Sequence, residues 1–194
     1  MTLAERLASA LADSRGLGPQ GDDIDLADTI YADAAVLIAV TDRPEPGVIL
    51  TLRHADLRRH AGQIAFPGGK VDPEDEDAIA AALREADEEI GLPPGAVEVV
   101  GTSNRYRTSS GFDILPVIGV TTPDLPLTPH EAEVADVFEV PFGFLLEQAN
   151  HIIRSVEKAG RMHQYYEINW GERRIWGATA GIVVNLASRL ARFA

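Results

Sequence analysis

One segment near the middle of the chain constrains the fold most, because it combines a helical apolar stripe with clear signals at both ends. Its apolar residues recur at intervals of three, one, three and four, which gathers them on one helix face. They are Ile79, Ala82, Leu83, Ala86 and Ile90. Asp72 and Pro73 predict the start as cap and first helical residue, and Gly91 predicts the end. An amphipathic helix must bury this face, so it requires a sheet or other helices beside it.

Short apolar runs with β-favouring residues lie on both sides of this helix and predict the strands of a sheet. Turn-forming residues separate the runs, as in TDRPEPG over residues 41–47, which indicates short connections between neighbouring strands. The predicted strands are residues 32–40, 48–52, 97–101, 112–120 and 134–140. Residues 151–170 predict a further hairpin that turns at Ala159 and Gly160.

The beginning of the chain predicts a short helix followed by a loop. Residues 2–12 have an amphipathic pattern with Thr2 in the capping position. Residues 16–25 are rich in glycine and aspartate and predict a loop. We therefore expect residues 1–25 to form an N-terminal helical arm.

The order of the elements predicts the fold class. Residues 141–149 predict a short helix, and residues 175–193 predict the helix that closes the chain. Strands on both sides of a central helix, with another helix at the end, are typical of the α/β (α+β) class, with a mixed sheet sandwiched between helices. The length of 194 residues suits one domain that spans residues 1–194.

Composition excludes several classes of protein. The chain has no cysteine, so disulfide frameworks and thiolate metal sites are excluded, and any metal must be held by oxygen or imidazole. A net charge of −13 argues against general binding of nucleic acid or of anionic membranes, since both require a basic surface. No apolar run approaches the roughly 20 residues needed to span a bilayer, and the N-terminus lacks the pattern of a signal peptide. We expect a cytoplasmic protein, either a monomer or a homodimer.

The last two turns of the central helix carry acidic side chains that do not favour helix stability. Carboxylates at a helix C-terminus oppose the helix dipole, and like charges one turn apart repel by roughly 0.2–0.5 kcal/mol per pair. At about 100° per residue, Glu85, Glu88 and Glu89 share one face, so we expect three carboxylates to converge on one small volume. Such a cluster suits Mg²⁺ or Mn²⁺, while a solvated acidic face is an equal alternative from the helix alone.

Two glycines ahead of the helix favour a binding site over a solvated face. Gly68 and Gly69 follow Phe66 and Pro67 and begin the loop that leads into the helix. Glycine allows backbone amides and carbonyls to approach a metal ion or a phosphate closely. Loop and helix together therefore predict a site for a hard cation and a phosphate group.

Residues 69–92 resemble the Nudix box, the loop and helix signature of hydrolases that act on a nucleoside diphosphate linked to another group. The usual pattern is glycine, five residues, glutamate, seven residues, and then Arg-Glu-aliphatic-x-Glu-Glu-x-Gly-aliphatic. The second half matches residues 84–92, with Ala86 as a small stand-in for the aliphatic residue. Counted from Gly69 to Glu76, the first half has six intervening residues, a lengthening associated with the coenzyme A branch of the family.

A second motif just upstream resembles that of the coenzyme A pyrophosphatases in this family. Their pattern is Leu-Leu-Thr-x-Arg-Ser, three residues, Arg, three residues, Gly, three residues, Phe-Pro-Gly-Gly. Residues 49–69 match it in register, except that His54 replaces the usual small residue. The resemblance implies that the matched side chains and glycines bind substrate: Arg53, Arg58, Gly62, Phe66 and Gly68. Guanidinium groups suit phosphate oxygens, although either arginine could instead pair with one of the many carboxylates.

The resemblance also implies a catalytic role for each acidic residue of the site. Glu85 and Glu89 would be the main ligands of Mg²⁺ or Mn²⁺, supported by Glu88 and by the carbonyl of Gly69, while Arg84 would orient the glutamates. The ions would neutralise the pyrophosphate and activate water for an in-line attack on phosphorus.

The general base and the substrate are left open in part. The base would be either a glutamate of the box or one in a later loop, for which Glu133 is the candidate. The implied reaction hydrolyses coenzyme A, or an acyl form of it, to 3′,5′-ADP and 4′-phosphopantetheine. A Nudix enzyme for ADP-ribose or NADH and a nucleotide-binding module without activity are alternatives, and a structural acidic domain fits least well.

Overall fold

The computed structural model describes residues 1–12, 20–21, 30–57, 60–158 and 160–191. The helices are α1 (Leu3–Leu11), α2 (Ala78–Ile90), α3 (Phe142–Leu146) and α4 (Ala178–Leu190). The strands are β1 (Gln20–Gly21), β2 (Ala32–Thr41), β3 (Gly47–Arg53), β4 (Ile64–Ala65), β5 (Gly68–Lys70), β6 (Val97–Thr102), β7 (Tyr106–Arg107), β8 (Phe112–Thr121), β9 (Val134–Pro141), β10 (Ile152–Lys158), β11 (Arg161–Trp170) and β12 (Arg173–Trp176).

The larger sheet is mixed, and its centre is the parallel pair formed by β2 and β8. The neighbours along its main path are β1, β7, β8, β2, β3 and β4. The strands β5, β6 and β9 extend it by antiparallel pairing with β2, β8 and β3. A smaller antiparallel sheet contains β10, β11 and β12 in that order.

Alternate side chains of β2 show how the larger sheet is covered on both faces. Ala35 and Leu37 belong to one apolar core, which they share with α2. Ile38 and Val40 belong to another core, shared with α1 and α4. Successive strand residues point to opposite faces of a sheet, so α2 lies on one face and α1 and α4 lie on the other. The predicted fold class, a mixed sheet between helices, is confirmed.

The N-terminal helix packs on the body of its own chain. Its cap is the predicted Thr2, which forms a reciprocal capping box with Glu5. Its apolar face lies against β6, β8 and α4. The side chain of Arg189 in α4 donates hydrogen bonds to the backbone oxygens of Leu11 and Thr102, which fixes the end of α1 against the last helix.

The start of α2 differs from the sequence-based prediction, whereas its end agrees. The helix begins at Ala78, and its cap is Asp77, whose carboxylate accepts a hydrogen bond from the Ala80 amide at 2.8 Å. The backbone amide of Asp72 donates to the Asp75 carboxylate at 2.8 Å, so residues 72–77 form turns ahead of the helix. The prediction of a start at Asp72 and Pro73 is therefore wrong. Gly91 ends the helix in the left-handed conformation, with φ of 67°.

Other elements agree with the predictions, with a few exceptions near the chain ends. The five predicted strands and the hairpin of residues 151–170 are present, and α3 with a following 3₁₀ turn replaces the single short helix of residues 141–149. Residues 173–176 pair with β11 as β12, so the final helix begins only at residue 178. Most of the predicted loop of residues 16–25 lies outside the described residues, although Gln20 and Gly21 pair with β7. None of the helices among the described residues is long and apolar enough to cross a bilayer.

Candidate functional site

The turn that precedes β9 is fastened to the end of α2. The amide of Thr128 donates to the carbonyl of Ile90, and the amide of His130 donates to the carbonyl of Glu89, both at 2.8 Å. The carbonyl of Glu133 accepts a hydrogen bond from the amide of His54 at 2.8 Å. These bonds satisfy carbonyls that the helix end leaves without partners, and they place Glu133 beside the acidic end of α2.

Two adjoining cavities of about 330 Å³ lie beside the acidic end of α2. The first cavity is lined by the three glutamates of the predicted cluster together with Glu133 and His130. The second cavity shares Glu85, Glu89 and Glu133 with the first and extends past Arg53 to an apolar wall. The fold therefore brings together a box segment, a later loop and an arginine from the upstream motif.

Glu89 is the most buried carboxylate of the site, with 5% of the residue exposed. One oxygen accepts a hydrogen bond from the amide of Gly68 at 3.2 Å, and the other accepts one from Arg53 Nη1 at 3.3 Å. Burial raises the pKa of Glu89 to about 7, because these two donors only partly replace the water that the carboxylate has lost. The site thus holds a buried carboxylate whose negative charge Arg53 balances only in part.

Arg84 connects the acidic residues, and its main partner is one that the sequence analysis did not select. Its guanidinium forms two hydrogen bonds of 2.9 Å with Asp75, whose pKa it lowers. The Nη1 atom of Arg84 also donates to Glu85 and Glu88 at 3.1 Å. Glu76, matched to the box by residue count, is exposed. Asp75 follows Gly69 after five residues, so the paired acid keeps the usual first spacing of the box.

The three glutamates share a cavity but do not form a ready-made ligand cluster. Among the residues that the structure describes, no three acidic or histidine side chains are grouped so that they could hold one ion. Arg84 lies between Glu85 and Glu88 and holds both carboxylates at hydrogen-bond distance. The three carboxylates converge on one cavity as predicted, but Arg84 engages two of them.

The donor groups of the site nevertheless suit a hard divalent cation. Burial raises the pKa of Glu85 as well as that of Glu89, which shows that the carboxylates lie where added positive charge would stabilise them. A Cβ atom on Gly69 would lie 2.5 Å from the Glu85 carboxyl group. At Gly68, with φ of 153°, a Cβ atom would collide with the carbonyl oxygen of Ala35. Glycine at position 68 therefore permits the close approach of the loop to β2, and glycine at position 69 leaves room for the Glu85 carboxyl group.

The residues of the upstream motif have different surroundings. Arg53, Gly68 and the buried Phe66 line the second cavity. Gly62 is absent from that lining and instead donates its amide to the carbonyl of Arg53 at 3.2 Å, with φ of 68°. Arg58 lies outside the described residues. Arg53, Phe66 and Gly68 of the motif therefore line the cavity, whereas Gly62 shapes the loop.

Comparisons with known proteins identify the family of this chain. The NUDIX domain model matches residues 31–159. The Uncharacterized Nudix hydrolase NudL of Escherichia coli strain K12 is 45% identical over 161 residues, which cover 82% of this chain and 83% of that protein. The protein of the same name from Cronobacter sakazakii is 46% identical over 158 residues, which cover 81% of this chain and 82% of that protein.

A solved structure supports the fold over nearly the full length. The MutT/nudix family protein from Enterococcus faecalis superimposes with a TM-score of 0.54 at 18% identity, covering 99% of this chain and 70% of that chain. At this identity the likeness concerns the fold alone. The family model and the two relatives, by contrast, extend over most of the sequence, including the box and the upstream motif. The chain therefore belongs to the Nudix hydrolase family.

Proposed function

We propose that this chain is a metal-dependent coenzyme A pyrophosphatase that produces 3′,5′-ADP and 4′-phosphopantetheine, or its acyl form. The observation that carries the proposal is the second cavity, in which Arg53 of the upstream motif faces Glu85 and Glu89 of the box. A pyrophosphate needs local positive charge to bind a protein of net charge −13. The guanidinium supplies one cation, and the carboxylates beside it supply ligands for metal cations.

Each acidic residue has a distinct part in this proposal. Glu85 and Glu89 would hold Mg²⁺ or Mn²⁺, with Glu88 and the Gly69 carbonyl as further oxygen donors. The bound ions would supply positive charge to the pyrophosphate oxygens and a more acidic water molecule. Arg84 orients Glu85 and Glu88 through its hydrogen bonds, and Asp75 in turn fixes Arg84.

Arg53 and Glu133 would act on the substrate itself. Arg53 would release part of its contact with Glu89 to a phosphate oxygen, since its Nε atom is buried without a hydrogen-bond partner. Glu133 is half exposed at the rim of both cavities, so it would accept the proton of the attacking water. The water oxygen bonds to one phosphorus, and the bridging P–O bond breaks with its electron pair leaving on the other phosphate.

The direct test is product chromatography after incubating the chain with coenzyme A and Mg²⁺ or Mn²⁺, with ADP-ribose and NADH in parallel. We expect 3′,5′-ADP to appear only with metal and to disappear in Glu89→Gln. The matched control is Glu98→Gln, a substitution of an exposed glutamate on β6 away from both cavities. Faster cleavage of ADP-ribose or NADH than of coenzyme A would refute the proposed substrate.

A further inference from the structure

The second cavity has two ends of opposite chemistry. One end carries the carboxylates of α2 and Arg53, as described above. The other end is formed by side chains from the α4 face of the sheet, from β4 and from the start of α4. Its apolar wall consists of Val36, Ile64, Phe112, Ile114, Ala178 and Ile182. A ligand that fills the cavity must therefore carry an apolar group next to its anionic one.

The strand register determines how close the two ends are. Ala34 and Val36 of β2 are direct antiparallel partners of Lys70 and Gly68 in the glycine loop. Partners in an antiparallel pair lie about 4.5–5.5 Å apart between their Cα atoms. The apolar wall thus begins one strand away from the loop that borders the carboxylates, so the apolar group must lie within a few bonds of the phosphate.

Two polar contacts near the apolar wall are made within the chain. Thr179 Oγ1 donates to the carbonyl of Ile64 at 3.1 Å, and His60 Nδ1 is 2.9 Å from Gln63 Oε1. The six apolar side chains of the wall offer no hydrogen bond, so a ribose with several hydroxyl groups would lose hydration against them. Burying such groups without hydrogen-bond partners is unfavourable.

We propose, on the basis of the coenzyme A activity proposed above, that this apolar end is the subsite for the pantoyl part of the substrate. In coenzyme A the pyrophosphate is joined on one side to a CH₂ group and then to a carbon bearing two methyl groups. On the other side it is joined to a ribose that carries a charged 3′-phosphate. Only the dimethyl carbon places apolar surface so close to the phosphorus.

The size of the cavity supports the same orientation. A volume of about 330 Å³ lies at the lower end of the roughly 300–1,000 Å³ typical of ligand pockets. It accommodates the groups next to the pyrophosphate, while the adenosine 3′-phosphate and the thiol end extend beyond it. In this orientation Ala178 and Phe112 determine specificity through contact with the two methyl groups.

The subsite can be tested by filling it. Ala178 is half-buried at the first position of α4, and Ala178→Leu adds a side chain directly to the apolar wall. We expect the affinity for 4′-phosphopantetheine, measured by titration calorimetry with Mg²⁺, to fall at least about tenfold, as for a few displaced methyl groups. The affinity for 3′,5′-ADP should change by less than about twofold, as for a substitution that ligand does not touch.

Two further variants make the result decisive. Ala149→Leu adds the same side chain at an exposed position and should leave both affinities unchanged. Phe112→Ala removes part of the wall without filling it, and it should also lower the affinity for 4′-phosphopantetheine. It replaces Ala178→Leu in the comparison if that substitution lowers the melting temperature. The subsite would be overturned if Ala178→Leu weakened the binding of 3′,5′-ADP and left that of 4′-phosphopantetheine unchanged. It would also be overturned if neither affinity changed.

The same titrations separate this inference from the proposed activity. A wild-type chain that binds both products in the expected pattern but does not cleave coenzyme A would keep the subsite and refute the activity. If the wild type cleaves coenzyme A and the Ala178→Leu variant loses affinity for 3′,5′-ADP alone, the activity is kept and the subsite is refuted. Binding of neither product by the wild type would refute both.

Discussion

Two glutamates of this molecule expose the same small fraction of their surface, yet their surroundings shift their pKa values in opposite directions. Glu89 at the end of α2 and Glu167 on β11 each expose 5% of their surface. Burial raises the pKa of Glu89 to about 7. Hydrogen bonds from the side chains of Asn169 and Arg174, with help from Arg154, lower the pKa of Glu167 to about 2.

The difference lies in the stronger desolvation of Glu89 and in the better pairing of the Glu167 charge inside the chain. Glu167 accepts from Arg174 at 2.7 Å, from Asn169 at 3.0 Å and from Arg154 at 3.2 Å. Glu89 has one distant arginine contact and one backbone amide, and it shares its cavity with other carboxylates. We interpret the well-paired Glu167 as a residue of the fold and the poorly paired Glu89 as a residue of the site. Four measurements can break or sharpen this contrast.

The largest effect should come from Glu89→Gln. If Glu89 is kept for a bound cation, the substitution should reduce hydrolysis of coenzyme A by more than the roughly 100-fold that changes outside the immediate ligands cost. The melting temperature of the metal-free chain should stay the same or rise, because a buried, poorly paired charge is removed. Steady-state kinetics and thermal unfolding measure the two parts, and a loss of stability without a loss of activity would contradict the contrast.

The next effect concerns the residue that fixes Arg84. Asp75→Asn removes the carboxylate that forms two hydrogen bonds with the guanidinium, so Glu85 and Glu88 lose their orientation. We expect Mn²⁺ affinity, followed by electron paramagnetic resonance, to fall about 10-fold to 100-fold, as for other outer-shell changes. Glu76→Gln is the control, because Glu76 is exposed and should be neutral. A larger effect of Glu76→Gln would mean that the acidic residue of the box is Glu76, which seven residues separate from Arg84, and not Asp75, which is paired with Arg84.

A smaller effect, on stability alone, should follow from Glu167→Gln. The substitution leaves Arg154 and Arg174 without their shared carboxylate, so the melting temperature should fall by a few degrees while activity is retained. Glu172→Gln, in the exposed turn before β12, is the matched control. Loss of activity in Glu167→Gln at full stability would assign the small sheet a part in the reaction.

The smallest effects are two pH dependences of opposite sign in the metal-free chain. The folded pKa of Glu167 is lowered, so its contribution to stability is present above an unfolded value near 4.5 and is lost as pH falls toward 2. The folded pKa of Glu89 is raised, so its contribution is present below about 4.5 and is lost as pH rises through 7. The free energy of unfolding, measured by denaturant titration at a series of pH values, should depend less on pH in each glutamine variant over the range of the replaced residue. Slopes of the same sign in both pH ranges of the wild type would refute the contrast.

Local sequence patterns predicted the long elements well and failed where tertiary pairing decides. The apolar period found α2, and Gly91 found its end, because both signals act within a few residues. Asp72 and Pro73 resemble a helix start just as strongly, but the turn that brings Asp75 to Arg84 displaces the start to Ala78. No local signal in the sequence distinguishes these two caps.

The site was predictable in its residue types but not in its pairings. The box located the glutamates and Arg84, while the glutamate at position 76 and the seven residues between it and Arg84 favoured Glu76 over Asp75. The apolar wall could not be found, since its members lie 146 positions apart, from Val36 to Ile182, and only the parallel pairing of β2 with β8 brings their strands together under α4. The roles of Arg58 and Glu133 in substrate binding and proton transfer stay predictions.

The hydrogen bond from Arg189 to the carbonyl of Leu11 also has a consequence for biosynthesis. The two residues are 178 positions apart, so at roughly 5–20 residues per second α1 leaves the ribosome roughly 10–35 s before its last support exists. Its leucines can pack first on β6, which is complete after about half of the chain, and α4 then covers them from the other side. Because α4 also supplies one wall of the second cavity, that cavity is complete only after α4 has been synthesised and has packed on the sheet.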